Sequence, residues 1–349
     1  MAQQNEVPDN HGKGAGHGPG GLPSHGAGHE HSAGHGHSAG HSHGHSAGHG
    51  HEHSAGHGHE HGHGGHSAAD EAGLAEVLDL DAEVLHSYLA EVMALLAGLT
   101  AATPPRRILD LGSGTGTGTL ALLQQFTGAE VTAVDLSEEM LRRVTAKVGA
   151  AGIAGDRLRT VQADLDADWP GGLGPVDLVW ASASLHHMAD PDRALAELLA
   201  VLRPGGLLAV AEMDASPFPR FLSAAAEAAL GRPGLEERLY TAVAGEHAEA
   251  VPHLGTDWGA RLAAAGFAVE SERRFDIRLT APLPDATGRY AQATLRRLRD
   301  RLVDLLGAED RAALAALLDE DGPQSILRRD DLTVVTSRTL WVARRPEQR

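Results

Sequence analysis

Residues 106–135 read RRILDLGSGTGTGTLALLQQFTGAEVTAVD, and the order of features in this stretch decides the fold. An apolar run, Ile108-Leu109-Asp110-Leu111, stops at four glycines spaced by two: Gly112, Gly114, Gly116 and Gly118. Leu120, Leu122 and Leu123 then open a helix, and a second apolar run from Val131 to Val134 ends on Asp135. Strand, glycine loop, helix, strand and terminal carboxylate make one unit for holding a ribose-bearing cofactor. Glycines let the backbone turn sharply and approach a ligand closely. The first helical turn offers unpaired N–H groups to a negative group, and the distal acid can bond ribose hydroxyls.

Outward from this unit the alternation continues. Leu158 to Ala163, closed by Asp164, predicts a third strand, and Val176 to Ala181, introduced by Gly174-Pro175, a fourth. Ala189-Asp190-Pro191 turns into a helix whose apolar face is Ala194, Leu195, Leu198, Leu199 and Leu202. Arg203-Pro204-Gly205-Gly206 stops it, and Leu207 to Ala211 forms a fifth strand. Upstream, apolar residues from Leu74 to Leu99 suit one or two amphipathic helices, ended by Thr103-Pro104-Pro105. Downstream, strands around Phe267 to Leu279 and Leu332 to Ala343 are separated by helical segments over 216–255 and 284–321. The expectation is an α/β fold: a doubly wound, seven-stranded Rossmann-like sheet under a helical cover, its last strand antiparallel. The corresponding division is a tail (1–69), an N-terminal helical segment (70–104), a cofactor-binding core (105–215), a cover insertion (216–256) and C-terminal strands with a helical insertion (257–349).

The first 66 residues differ in kind. They hold 18 of the 23 histidines and 19 of the 43 glycines in the 349-residue chain, and the octamer HSAGHGHE occurs at 45–52 and again at 53–60. So little apolar surface cannot offset the entropy of ordering, so disorder is expected there. Neutral imidazole suits Zn, Ni, Co and Cu. His35, His37, His41, His43, His45, His49, His51, His53, His57, His59, His61 and His63 are the candidate ligands. A repeat-expanded solubilising tail with no use for metal is the plainer reading.

Formal charge is −18, and from Glu71 onward 41 acidic residues face 28 basic ones, with aromatics at 3%. Nucleic acid rewards basic patches and stacking platforms, so it is a poor match as partner. The absence of cysteine excludes disulfides, thiolate metal sites and thiol nucleophiles. The N-terminus lacks the apolar core of a signal peptide, and no run of about 18 apolar residues occurs. A cytoplasmic protein without a membrane partner is expected.

The order of these features resembles the class I S-adenosylmethionine-dependent methyltransferases, and within them the group acting on small molecules. Leu109-Asp110-Leu111-Gly112-Ser113-Gly114-Thr115-Gly116 looks like the family's first motif, Val134-Asp135-Leu136-Ser137 its second and Gln162-Ala163-Asp164-Leu165 its third. Val176-Asp177-Leu178-Val179-Trp180 with Leu185-His186-His187-Met188 resembles the fourth, and Leu202-Arg203-Pro204-Gly205-Gly206-Leu207-Leu208 the connection into strand five. The resemblance implies that Asp110, Gly112, Ser113, Gly114 and Gly116 hold the methionine end of S-adenosyl-L-methionine. By the same likeness Asp135 bonds both ribose hydroxyls, Asp164 bonds the adenine amine, and Leu136 and Leu165 sandwich the purine.

Methyl transfer from a sulfonium needs proximity, alignment and sometimes a base. The base candidates are His187 and His186, which follow strand four; shaping the loop is their alternative role. His247 and His253 lie in the presumed cover, and Glu212 ends strand five, where it could bond an acceptor. Strand four ends Trp180-Ala181-Ser182-Ala183, without the Asn/Asp-Pro-Pro-aromatic tetrad that the resemblance requires for adenine amino-methylation. A small-molecule acceptor, uncharged or cationic, is expected. Two other readings compete: a dinucleotide oxidoreductase, against which Thr117 or Thr119 stands where the third glycine belongs, and a metal-buffering or binding protein on a methyltransferase-like scaffold without activity.

Overall fold

The computed structural model describes residues 68–214 and 218–347. The order is α1 (Ala68–Val84), α2 (His86–Leu99), β1 (Arg107–Leu111), α3 (Thr117–Gln125), β2 (Glu130–Asp135), α4 (Glu138–Ala150), β3 (Leu158–Gln162), β4 (Val176–Ser182), α5 (Pro191–Val201) and β5 (Leu202–Met213). Then come β6 (Arg220–Leu222), α6 (Ala224–Ala229), α7 (Leu235–Ala250), α8 (Trp258–Ala264), β7 (Ala268–Leu279), α9 (Thr287–Arg301), α10 (Ala308–Leu318) and β8 (Leu332–Arg344).

β3, β2, β1, β4 and β5 lie side by side in parallel. β8 runs antiparallel against β5, and β7 pairs along the other edge of β8. These seven strands are the expected doubly wound sheet with its antiparallel last strand. An eighth was not read from the sequence: β6, three residues long, pairs with β8 beyond the end of β5. So short a run carries no periodic signal.

Both faces of the sheet are covered, which is why the parallel strands read as near-continuous apolar runs. On one face Ile108, Leu178, Trp180, Leu207 and Ala209 pack against α2, α3, α4 and α9. On the other, Leu109, Val179, Leu208 and Trp341 meet Leu195 and Leu198 of α5 and Trp258 and Leu262 of α8. Helix starts follow the local chemistry. Ser137 caps α4 by accepting from Met140 N at 3.1 Å, and Asp190 caps α5 from Arg193 N at 3.0 Å with Pro191 in the first turn. Such caps are each worth about 1 kcal/mol.

α1 and α2 meet at a bend of 73°, and among the described residues no single helix is long and apolar enough to cross a membrane. α1 crosses the strand ends above the glycine loop. Ser137 Oγ donates to Glu71. Lys147 Nζ joins Asp79 (2.7 Å) to the hydroxyls of Thr115 (3.2 Å) and Thr117 (3.0 Å).

Candidate active site

The loop from Gly112 to Gly116 leaves β1 with three glycines at positive φ: 68° at Gly112, 50° at Gly114 and 85° at Gly116. Gly112 and Gly116, and Gly118 beyond them, also have a steric reason inside the protein. A Cβ on Gly112 would lie 2.5 Å from Ser184 Cβ, and one on Gly116 2.9 Å from the Val144 backbone. One on Gly118 would lie 2.6 Å from Trp180 Nε1. The sequence reading gave these glycines to close approach by a ligand; the structure adds close approach by neighbouring elements.

Asp110 is 2% exposed, and its Oδ2 accepts from Thr119 Oγ1 at 2.5 Å and is bonded by the Thr119 backbone as well. The carboxylate thus occupies part of the first turn of α3, which the sequence reading had left to an external anion. Burial pushes Asp110 up to about 7, with the Thr119 hydroxyl opposing and Asp135 adding to the rise. Asp135 Oδ2 accepts from Gly114 N at 2.8 Å and Oδ1 from Ser137 N at 2.9 Å. Burial raises it too, with Glu71 contributing in the same direction. Each of the pair thus has an acid neighbour that disfavours its charged form, which a bound cation would offset.

The other predicted cofactor residues line the same end of the sheet. Gly112 N and Ser113 N donate to Val134 O, tying the loop to β2. Asp164, at the end of β3, accepts from Asp166 N at 3.0 Å. Leu165 is buried at 7% exposure, whereas Leu136 is 56% exposed, unusual for a leucine next to a core.

The turn after β4 brings in residues the sequence did not assign. Ala183 has φ 51°, and among the described residues it is the one non-glycine with positive φ. Ser184 N and Leu185 N donate to Glu212 Oε1 (3.1 and 2.9 Å), and His186 Nδ1 lies 2.5 Å from Glu212 Oε2. The contact needs one proton between them, shared by His186 Nδ1 and Glu212 Oε2. Glu212, 2% exposed, uses both oxygens inside the protein. It is a clamp on the β4 turn, in place of the acceptor contact offered from the sequence. His186 is buried; His187 is exposed and packs its ring 4.1 Å from that of His186. His253 lies in a turn after α7, and His247 falls within α7. The tail histidines are outside the described residues. Among the described residues no group of three or more His, Asp or Glu could hold a metal ion.

Eight buried side-chain polar atoms have no hydrogen-bond partner among the described residues. Four surround this end of the sheet: Ser113 Oγ, Ser184 Oγ, Tyr88 Oη and Arg338 Nε. Ser184 packs against Gly112, the residue before Ser113, and a cofactor with polar ends would satisfy both hydroxyls. Sequence offered no signal for Ser184. Arg338 had one: it shares a strand face with Val334, Leu340 and Val342, all buried.

Residues 108–206 match the family model described as methyltransferase domain. The chain is 42% identical over 114 residues to the demethylmenaquinone methyltransferase of Clavibacter sepedonicus, covering 32% of this chain and 43% of that one. It is 41% identical over 103 residues to the trans-aconitate 2-methyltransferase of Azoarcus sp. (strain BH72), covering 30% and 37%. The chain thus spans about two fifths of these curated relatives. Among solved structures, the YcgJ protein of Bacillus subtilis superposes with a TM-score of 0.44 and 16% identity, over 74% of this chain and 100% of that one.

Proposed function

We propose that this protein transfers a methyl group from S-adenosyl-L-methionine to a small-molecule acceptor. The observation that carries the reading is the buried pair Asp110 and Asp135 flanking the glycine loop, bonded by Thr119, Gly114 N and Ser137 N and each facing a further acid, Asp135 for Asp110 and Glu71 for Asp135. Such a site suits a sulfonium and repels the pyrophosphate of a dinucleotide. The orphaned Ser113 and Ser184 hydroxyls fit a ligand with polar ends.

In this reading Asp110, Gly112, Ser113, Gly114 and Gly116 hold the methionine end. Asp135 holds the ribose hydroxyls and Asp164 the adenine amine, while Leu136 and Leu165 flank the purine. When bound, the cofactor supplies an activated methyl group. The protein's part is then alignment, exclusion of water and acceptance of a proton where the acceptor loses one. His187, exposed beside the buried His186–Glu212 pair, is the candidate base, and His186 orients it by ring contact. The two named relatives act on different acceptors, so their names do not select one here.

Calorimetry with S-adenosylhomocysteine tests the cofactor. Wild type should bind it and ignore NAD, and Asp135→Ala should weaken binding at least about tenfold, the loss of charge-assisted hydrogen bonds. Equal affinity in Asp135→Ala would refute the ribose role. Transfer of labelled methyl groups to a cell-extract metabolite, lost in His187→Ala, tests the base.

The tail is proposed, on its composition, to bind divalent transition metals. Imidazole titrates near 6.5, so metal should be held at pH 7.5 and released below about pH 6. Equilibrium dialysis of the full chain with Ni or Zn at pH 7.5 and 5.5 measures this; equal retention at both removes the idea.

A further inference from the structure

Among the described residues, two buried donors on the cover side have no hydrogen-bond partner. Tyr88, on α2, is 8% exposed with its hydroxyl unpartnered, and Arg338, on β8, leaves Nε unpartnered. The two are neighbours: the Arg338 guanidinium carbon is 5.5 Å from the centre of the Tyr88 ring. The rest of the guanidinium is fixed, because Nη2 pairs with Asp81 of α1, which also accepts from the Tyr290 hydroxyl. A buried donor without a partner destabilises a protein. Asp81, bonded by both Arg338 Nη2 and Tyr290, holds the guanidinium in place over the Tyr88 ring.

Their position matters. β8 is in register with β5 so that Arg338 stands opposite Met213 and Thr339 opposite Glu212. Arg338 is therefore level with the carboxyl end of the parallel strands, where open sheets bind ligands. β4, which delivers His186 and His187, is two strands away, roughly 10 Å at the usual strand spacing. Tyr88 is also close enough to Glu212 to feel its charge.

We propose that Tyr88 Oη and Arg338 Nε form a carboxylate-binding subsite that anchors the acceptor while its reacting atom lies near the β4 turn. This rests on the methyltransferase reading and names the acceptor class: a small molecule bearing a carboxylate, in place of the uncharged or cationic one expected from overall charge. Asp81 already offsets part of the Arg338 charge, so the subsite suits a single carboxylate better than a dianionic phosphate. With the guanidinium carbon 5.5 Å from the Tyr88 ring centre, its Nε and the phenolic hydroxyl are two unpartnered donors close enough to share one carboxylate.

Ligand-observed NMR on the full chain, with and without S-adenosylhomocysteine, uses a mixture of small aromatic and aliphatic carboxylates, each beside its primary amide. The expected result is saturation of one or more carboxylates over their amides, weakened about tenfold or more in both Tyr88→Phe and Arg338→Lys, with S-adenosylhomocysteine affinity unchanged. Tyr88→Phe deletes only an unpartnered hydroxyl, so a purely structural role predicts an unchanged or higher melting temperature and unchanged ligand signals. No preference for carboxylates, or equal signals in wild type and Tyr88→Phe, overturns the subsite. Failure of S-adenosylhomocysteine to bind overturns the methyltransferase reading separately, and the carboxylate arm without it still decides the subsite.

Discussion

Two turns leave parallel strands at the same edge of the sheet and are built by opposite means. The loop after β1 takes its left-handed conformations at Gly112, Gly114 and Gly116, where positive φ costs little. The turn after β4 makes a comparable bend at Ala183, which has a Cβ to accommodate, and is held by Glu212 reaching from β5 to Ser184, Leu185 and His186. One turn is shaped by its own residues; the other is held in a strained shape by a neighbour. Strained backbone persists where the surroundings over-determine it, and such places cluster at functional sites.

The sharpest way to break the comparison is to remove the intrinsic freedom of the first turn. Gly112→Ala adds a Cβ 2.5 Å from Ser184 Cβ at a φ of 68°. A loss of about 4 kcal/mol is expected from strain plus overpacking, read as a lower urea midpoint. A wild-type midpoint would mean that the loop can relax and that its glycines are replaceable.

Removing the clamp comes next. Glu212→Ala leaves two buried N–H groups and His186 without an acceptor, for about 3 kcal/mol, and should cost methyl transfer more than cofactor affinity. If stability and turnover both survive, the β4 turn holds itself and the contrast fails.

The first turn also has its own buried carboxylate. Asp110, at about 7, is mostly protonated at pH 6 and ionised at pH 8. A cationic cofactor favours the ionised form. Affinity for S-adenosylmethionine should therefore fall as pH drops through 7, by about tenfold from pH 8 to 6. Calorimetry in buffers of different ionisation enthalpy should show proton release near pH 7, abolished in Asp110→Asn.

Ala183→Gly is the smallest effect and has the opposite sign. Relieving a left-handed alanine should stabilise by about 1 kcal/mol. No gain would show that the turn was never strained.

The same contrast explains what the sequence revealed. Gly112-Ser113-Gly114-Thr115-Gly116 is legible because positive φ and absent Cβ space both select glycine, a residue that stands out in any string. Asp135 and Asp164 were placed because a strand end is marked by its apolar run. Ala183 carries no mark, since alanine is ordinary in every conformation but this one. Glu212 stood at a strand end like Asp135 and invited a ligand role. Only the packing of β5 beside β4 shows that its oxygens are taken. Arg338 was marked by its place on the apolar face of a strand, but its meeting with Tyr88, 250 residues away, is a contact between elements that no local pattern encodes.

Trp180 gives this arrangement a readout. It pairs across the sheet with Asp110, and its indole nitrogen and the Asp110 carboxylate border the same spot above Gly118. Trp258 and Trp341 lie in the opposite layer. An indole beside a carboxylate that changes charge near neutral pH makes an internal optical gauge. Its emission should move as Asp110 ionises and again as a cation settles nearby, so filling of the site can be followed in the unlabelled protein, with Trp180→Phe as the blank.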